Sequence, residues 1–240
     1  VVLVTVLLNA TTARLFAKIV CVFLKTSEGV LIVGASNFSR LIASYLQKID
    51  RHVVLLDTNV FNINTAKDLG LEAINADIYS VELTDNIELN DVGYLLAMTG
   101  SDEINTKAIS RFGKEFGETG TYRLMTSEEL QTNEPPSSKE LFSDTHDFSK
   151  FTHVANKYPS IQEIPLDSHD ELIRLLKIIE KDEDAISLFL KHPEGFLDIV
   201  SVRTRIEVEK GSHLVYIGKP MDLESILKTR KKTNELNEKE

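Results

Sequence analysis

The sequence has a single cysteine, Cys21, and this scarcity limits the chemistry open to the chain. One cysteine excludes an internal disulfide, and no group of Cys and His residues has the spacing of zinc ligands. We therefore expect no metal site. The cysteine usage is typical of a protein kept in a reducing compartment.

Positive charge is also scarce, since 27 Lys and Arg residues are outnumbered by 37 Asp and Glu residues, which gives a net charge of −10 at pH 7. A nucleic-acid-binding protein needs a basic face to neutralise phosphates, so we expect no nucleic-acid partner. The apolar fraction of 42% is enough to build a core and excludes wholesale disorder. A length of 240 residues fits one large domain or two small ones.

The first 27 residues contain no acidic residue, and Val1–Ala13 contains no charge at all. A membrane-spanning helix needs roughly 20 apolar residues, so this run is too short to cross a membrane alone. It fits the end of a truncated membrane helix, with the following Arg14, Lys18 and Lys25 on the cytoplasmic side. The alternative is a buried strand or helix of a soluble domain. A secretory signal is excluded because its basic residues would precede the apolar run.

Short apolar runs alternate with amphipathic segments between residues 30 and 125. The pattern predicts strands at Val30–Val33, Val53–Leu56, Glu72–Asn75, Tyr94–Met98 and Tyr122–Met125, and helices at Ser39–Lys48, Asn62–Leu69 and Asp102–Phe116. Such alternation predicts an α/β fold with a Rossmann-like, doubly wound parallel sheet.

The second part of the chain has a different pattern, which predicts a small α+β domain over residues 161–220. It combines an amphipathic helix at Asp170–Lys181 with a short apolar run at Ala185–Leu190 and with predicted strands at Phe196–Val202 and Leu214–Gly218. The prolines of Thr132–Ser138 predict a linker within 131–160. Residues 221–240 read as a charged tail.

A turn that resembles a phosphate-binding loop joins the first strand to its helix. The sequence Gly34-Ala35-Ser36-Asn37-Phe38-Ser39 keeps only the first glycine of the G-x-G-x-x-G pattern. Asp57 ends the second strand, 23 positions after Gly34, where an acidic residue binds a ribose hydroxyl in dinucleotide-binding folds. The alternative interpretation is a purely structural turn and a capping aspartate.

Polar residues also follow the third and fourth predicted strands: Asp77 follows one, and Thr99 and Ser101 follow the other. The carboxyl ends of parallel strands meet at one edge of a sheet, where ligands of open α/β folds bind. We therefore expect these residues to line one crevice.

Taken in order, GVLIVGASNFSR, VVLLDTN, INAD and YLLAMTGSDEIN resemble the regulatory nucleotide-binding domain called TrkA-N, RCK or KTN. The most specific part is the run from Thr99 to Asn105, which resembles T-x-x-D-E-x-N of that family. Among its members, the chain is most similar to domains fused to the C-terminus of bacterial monovalent cation:proton antiporters. The resemblance covers residues 1–130.

The resemblance implies a set of cofactor-binding positions and two kinds of cofactor. The phosphates would lie against Gly34, Ala35, Ser36, Asn37, Phe38 and Ser39, the ribose at Asp57 and Thr58, the adenine at Asp77 and Ile78, and the middle of the cofactor at Thr99 and Gly100. The cofactor is expected to be NAD(H) or AMP, ADP or ATP. The two missing glycines leave open a mononucleotide or a site that has lost its ligand, and the role of Asn105 stays open between ligand contact and capping.

The same resemblance implies that residues 1–27 are the end of the last transmembrane helix with a basic connector, followed by a TrkA-N domain over 28–130. The chain would form a homodimer on the cytoplasmic side of the inner membrane and regulate sodium or potassium transport by an antiporter domain upstream in the same chain.

The sequence leaves two alternative functions to consider. A stand-alone regulatory subunit of a potassium uptake system would use the same fold. A small NAD-dependent oxidoreductase would need an acid–base residue near the hydride, but no Tyr has a Lys four positions later. We therefore expect no catalytic residues and no enzyme activity.

Overall fold

The computed structural model describes residues 28–80, 91–116, 120–131, 141–143, 145–200 and 207–221. Its first sheet has five parallel strands in the order β3-β2-β1-β4-β5. These strands are β1 (Gly29–Val33), β2 (Val53–Asp57), β3 (Glu72–Asn75), β4 (Val92–Ala97) and β5 (Thr121–Arg123). The predicted Rossmann-like parallel sheet is therefore confirmed.

Helices cover both faces of this sheet: α1 (Asn37–Lys48), α2 (Val60–Asp68), α3 (Asp102–Phe116) and the short α4 (Ser127–Gln131). Side chains of a strand point alternately to opposite faces. Val30 and Ile32 of β1 accordingly lie in the core that contains α1, whereas Leu31 and Val33 lie in the core that contains α3. The central strand is thus buried on both faces, which explains its continuous apolar run.

Two strand ends of the first sheet differ from the prediction by two residues, and the other strand ends differ by at most one. β4 begins at Val92 rather than Tyr94, because Gly29 of β1 pairs with Val92 and the register shifts only after that pair. β5 ends at Arg123 rather than Met125, since Met125 forms a bridge with Asp147 instead.

The second sheet is antiparallel, with strands β6 (Ile161–Leu166), β7 (Ala185–Lys191), β8 (Leu197–Ile199) and β9 (Ser212–Gly218) in the order β6-β9-β7-β8. Helix α6 (His169–Lys181) packs on one face through Leu172, Leu175 and Ile179. The α+β character predicted for this part is observed. Strand β6 was not predicted separately, and the strand expected at Phe196–Val202 is shorter.

One helix lies in the range predicted as a linker. Residues Phe148–Lys157 form α5, and the side chain of Asp147 caps it by accepting a hydrogen bond from the backbone N–H of Lys150 at 2.9 Å. Phe151 and Val154 are fully buried. The linker predicted over 131–160 is therefore corrected for this segment, because its apolar residues share one helix face that packs into the core.

The two sheets share this core. Phe151 of α5 stacks on Phe38 of α1 with ring centroids 5.0 Å apart. Phe142 lies edge-on to Phe38 at 6.0 Å and to Phe189 of β7 at 5.3 Å. These four rings, which we call the aromatic cluster, join the helix that follows β1 to the second sheet.

Several predicted features lie outside the described residues: the membrane-helix end and connector at 1–27, the linker Thr132–Ser138 and most of the tail at 221–240. Within the ranges that the model describes, no helix combines the length and the apolar character needed to span a membrane.

We predict that Phe151→Ala lowers the free energy of unfolding by about 3–5 kcal/mol, as expected for removing a fully buried aromatic ring. Because both sheets use this core, calorimetry of the variant should still show one cooperative transition. Phe61→Ala, at a side chain that is 76% exposed, is the matched control and should change stability little. Two separate transitions, one for each sheet, would contradict a shared core.

Candidate functional site

A cleft opens at the carboxyl ends of β1, β2 and β4, at the point where the strand order of the sheet reverses between β1 and β4. Ligands of open α/β folds bind at such a point. The cleft is lined by Val33, Gly34, Ser36, Leu56, Asp57, Thr58, Asn62, Ala76, Asp77, Ile78, Met98, Thr99, Gly100, Ile104 and Phe148. Eight of the predicted cofactor-binding residues are in this set: Gly34, Ser36, Asp57, Thr58, Asp77, Ile78, Thr99 and Gly100.

Gly34 makes the tight turn between β1 and α1. Its φ of +98° lies in a region of backbone conformation that residues with a Cβ atom rarely adopt. A Cβ at this position would lie only 2.8 Å from the carbonyl oxygen of Met98 and 2.9 Å from Cγ2 of Thr99. Glycine is therefore required both for the turn and for the close approach of the loop to β4.

Asp57, the last residue of β2, holds this loop through hydrogen bonds to its side chain. Its Oδ2 accepts a hydrogen bond from the backbone N–H of Ala35 at 2.8 Å and another from Nδ2 of Asn62 at 3.1 Å. Its Oδ1 accepts from the backbone N–H of Asn59 at 2.9 Å. A carboxylate offers about four acceptor positions, so these contacts leave room for one ligand hydroxyl. Asp57 thus has a structural role whether or not it binds a ribose.

Ser36 stands where the pattern would have its second glycine, and it caps α1. Its Oγ accepts from the backbone N–H of Ser39 at 3.2 Å and lies 2.9 Å from Oγ of Ser39. Nearby, the Arg40 side chain donates to the carbonyl oxygen of Ala35. Burial lowers the pKa of Arg40, and the charge of Asp57 partly opposes this change. These side chains therefore stabilise the conformation of the loop through hydrogen bonds within the loop and the start of α1.

The other four predicted loop residues do not line the cleft. Asn37 donates from Nδ2 to Oδ1 of Asn156 on α5 at 2.8 Å. Phe38 belongs to the aromatic cluster, and Ser39 is fully buried. Ala35 is also buried and contributes its backbone N–H to Asp57. These residues position the loop against the rest of the fold.

Asn105 organises the loop after β4. It is fully buried, and its Nδ2 donates to the carbonyl oxygen of Thr99 at 3.0 Å. Its Oδ1 accepts from the backbone N–H of Thr99 at 3.1 Å and from Oγ1 of Thr99 at 2.7 Å. The role left open for Asn105 is thus a structural one, since it holds Thr99 at the cleft wall.

The third wall of the cleft follows β3. Asp77 is exposed, and its Oδ1 accepts from the backbone N–H of Tyr79 at 2.9 Å. Ile78 is buried, and its carbonyl oxygen accepts from Nη1 of Arg111 at 2.8 Å. Asp77 therefore presents charge at the rim, and Ile78 presents an apolar surface below it.

Phe148 and Asn62 also line the cleft, although neither was predicted as a site residue from the sequence. The Phe148 ring packs on Gly100, where a Cβ would lie 3.0 Å from Cδ1 of the ring. The spacing of Phe148, Phe151 and Val154 is a helical signal that could have placed Phe148 on a helix. Nothing in the sequence could have shown that this helix ends at the cleft.

Among the residues that the structure describes, no cluster of three or more His, Cys, Asp or Glu side chains is arranged to hold a metal ion.

Comparison with family models gives one match over the first sheet. Residues 30–129 match the TrkA-N domain. This supports the resemblance to that family for these residues, and all the cleft-lining residues except Phe148 lie within the matched range.

Solved structures that match the chain include the NAD(P)-binding domain of an exopolyphosphatase-related protein from Archaeoglobus fulgidus, at 19% identity and a TM-score of 0.32, covering 42% of this chain and 89% of that one. The GsuK RCK domain is similar at 12% identity and a TM-score of 0.39, covering 80% of this chain and 44% of that one. The GsuK channel bound to NAD gives 12% identity and a TM-score of 0.38, covering 80% and 36%. The chain therefore spans less than half of either GsuK chain. No curated protein matches it.

We predict that Asn105→Ala destabilises the chain by about 2 kcal/mol, because the partly buried polar groups of Thr99 lose their hydrogen-bond partners. Chemical denaturation measures the change. Asn64→Ala, at an exposed position of α2, is the matched control and should stay within about 0.5 kcal/mol of the parent chain. Equal stability of the two variants would contradict the role given to Asn105.

Proposed function

We propose that the cleft binds an adenine nucleotide, either NAD(H) or AMP, ADP or ATP, and that the chain is a regulatory part of a monovalent cation transport system. The observation that carries the proposal is the meeting of the Gly34 turn, Asp57, Asp77 and Thr99 in one cleft at the reversal of strand order. The TrkA-N match over residues 30–129 supports the regulatory role.

The phosphates would lie at the start of α1. The first turn of a helix carries backbone N–H groups without partners inside the helix, and its dipole favours an anion there. Gly34 brings this helix start close to β4. Ser36 lines the cleft with its hydroxyl already committed to the cap, so backbone groups would supply most of the phosphate contacts.

The nucleoside would lie across the ends of β2 and β3. Asp57 has one acceptor position left for a ribose hydroxyl after its bonds to the loop. Ile78 and Ile104 provide apolar surface for a planar base, and Phe148 adds an aromatic ring from the other side of Gly100. This division of polar and apolar contacts is typical of small-ligand sites.

The charge of the cleft favours ligands with few phosphate charges. Among the described lining residues, Asp57 and Asp77 are the charged side chains, and no Lys or Arg accompanies them. We therefore expect NAD⁺, NADH and AMP to bind more tightly than ATP. The same composition supports a regulatory role over catalysis, since no His, Cys, Lys or Tyr is among the described lining residues to serve as an acid–base group.

The transport system is proposed to be a monovalent cation:proton antiporter for sodium or potassium. The chain would act at the cytoplasmic side of the inner membrane, attached to an antiporter domain upstream, and would pair as a homodimer. Nucleotide binding would bias the relative placement of the paired domains, which requires different affinities in the two arrangements. The alternative role is a stand-alone regulatory subunit of a potassium uptake system.

A thermal-shift titration with NAD⁺, NADH, AMP, ADP and ATP tests the ligand. At about 100 times its dissociation constant, a ligand should stabilise the chain by about 2.7 kcal/mol. We expect this shift with NAD⁺, NADH or AMP, and a smaller shift with ATP.

The control separates binding from folding. Asp57→Ala should lower the melting temperature without ligand, because the bond to Ala35 is lost, and it should also abolish the ligand-induced shift. Asp68→Ala, at an exposed position of α2, should keep the full shift. No change in melting temperature with any of the five nucleotides, or an undiminished change in Asp57→Ala, would contradict the proposed site.

Sedimentation equilibrium tests the proposed pairing. The chain should sediment as a dimer at micromolar concentration, and its small-angle scattering profile should change when the nucleotide identified above is added. A monomer under both conditions would remove the pairing from the proposal.

A further inference from the structure

A second cavity lies apart from the cleft and shares none of its lining residues. It is bounded by the end of α6, the start of β7 and four residues before α5, namely Phe142, Ser143, Thr145 and His146. Its volume of about 220 Å³ exceeds the roughly 150 Å³ of an engineered apolar cavity that holds benzene. The space is therefore large enough for a molecule with one ring and a short substituent.

Most of the wall is apolar. Leu176 and Ile179 come from α6, Ile186 from β7, and Val200 and Phe142 close the space. Ile179, Ile186, Val200 and Phe142 are each less than 5% exposed. Such a surface favours an apolar ring over a sugar or a phosphate.

The polar groups of the wall come from Ser143, Thr145, His146, Glu180 and Ser187. Oγ of Ser143 lies 2.8 Å from Nδ1 of His146, and Ser187 adds a hydroxyl. The acidic side chain is Glu180, which is exposed at the end of α6, and no Lys or Arg is among the described lining residues. An anion is therefore disfavoured, and a hydroxyl or an amine is favoured.

The backbone at this cavity has an uncommon conformation. Phe142 has a φ of +66°, and the backbone N–H of Ser143 donates to the carbonyl oxygen of Leu141 at 2.8 Å, which closes a three-residue turn around Phe142. This conformation is rare for a bulky residue, and such departures concentrate at ligand sites. A bulge in β7 between Ser187 and Phe189 lies at the same wall, and bulges also accumulate beside binding sites.

Phe142 connects this cavity to the loop of the cleft. Its ring contacts Phe38 at 6.0 Å, and Phe38 is the second residue of α1, directly after the loop that Gly34 and Asp57 hold. A ligand that moves the Phe142 ring must therefore displace a fully buried neighbour at the start of α1.

We propose that this cavity is a second small-molecule site, which takes a neutral or cationic amphipathic compound with one ring, and that its occupancy alters the loop Gly34–Ser39 through Phe142 and Phe38. The site is independent of the nucleotide proposal, because its test needs no nucleotide.

The probes are benzylamine, benzyl alcohol and benzoate, added to the isotope-labelled full chain and followed by protein-detected NMR. Benzylamine should bind at least tenfold more tightly than benzoate, with benzyl alcohol between them. The amides of residues 34–39 should shift together with those of Phe142, Ser143, Thr145 and His146, although the probe touches only the second group.

Ser187→Leu fills the cavity and should weaken benzylamine at least tenfold, whereas Ser160→Leu, at an exposed serine before β6, should leave it unchanged. Glu180→Gln, an exposed change that should not disturb folding, should remove the preference for benzylamine over benzyl alcohol.

Unaltered benzylamine binding in a folded Ser187→Leu, the same amine preference in Glu180→Gln, or tighter benzoate binding would overturn the assigned ligand class. Probe binding without any shift at residues 34–39 would overturn the connection through Phe142.

Discussion

The burial of α1 between the two sheets is the constraint on which the rest of the structure depends. Its N-terminal side packs Phe38 into the aromatic cluster, and its middle carries Tyr45, whose hydroxyl donates to Oε1 of Glu163 on β6 at 3.0 Å. Burial, together with the neighbouring carboxylate, raises the pKa of Tyr45 far above its ordinary value, so this bond persists across the physiological range. The loop at the start of α1 therefore takes its position from both sheets at once.

This arrangement explains why the chain can use a reduced glycine pattern. In a loop with three glycines, the backbone alone makes the tight turn, the close approach to the ligand phosphates and the close packing of helix on strand. Here Gly34 provides the turn, while Ser36 caps the helix and Asp57 holds the N–H of Ala35. Side-chain hydrogen bonds thus replace the missing glycines in fixing the loop, and the start of the helix stays directed toward the cleft.

Much of the fold and the outline of the cleft could be predicted from the sequence. Buried parallel strands are continuous apolar runs, and their carboxyl ends must meet, so Asp57, Asp77 and Thr99 were correctly expected at one crevice, whereas Ser101 does not line it. The functions of Asn37 and Phe38 could not be predicted, because Asn37 bonds a residue 119 positions away and Phe38 packs on Phe151. Helix α5 was missed for a related reason: it lies just after a proline-rich stretch and is stabilised by contacts distant in sequence.

The double engagement of Asp57 has a consequence for how such a cleft changes its ligand during evolution. In the proposed site Asp57 would bind a ribose hydroxyl as well as anchor the loop, so replacing it to change the ligand would also destabilise the fold. Asp77 at the rim is exposed and bonds only a local backbone N–H among the described contacts. Divergence in ligand choice should therefore accumulate on the β3 side of the cleft, while the β2 side stays fixed by the fold itself.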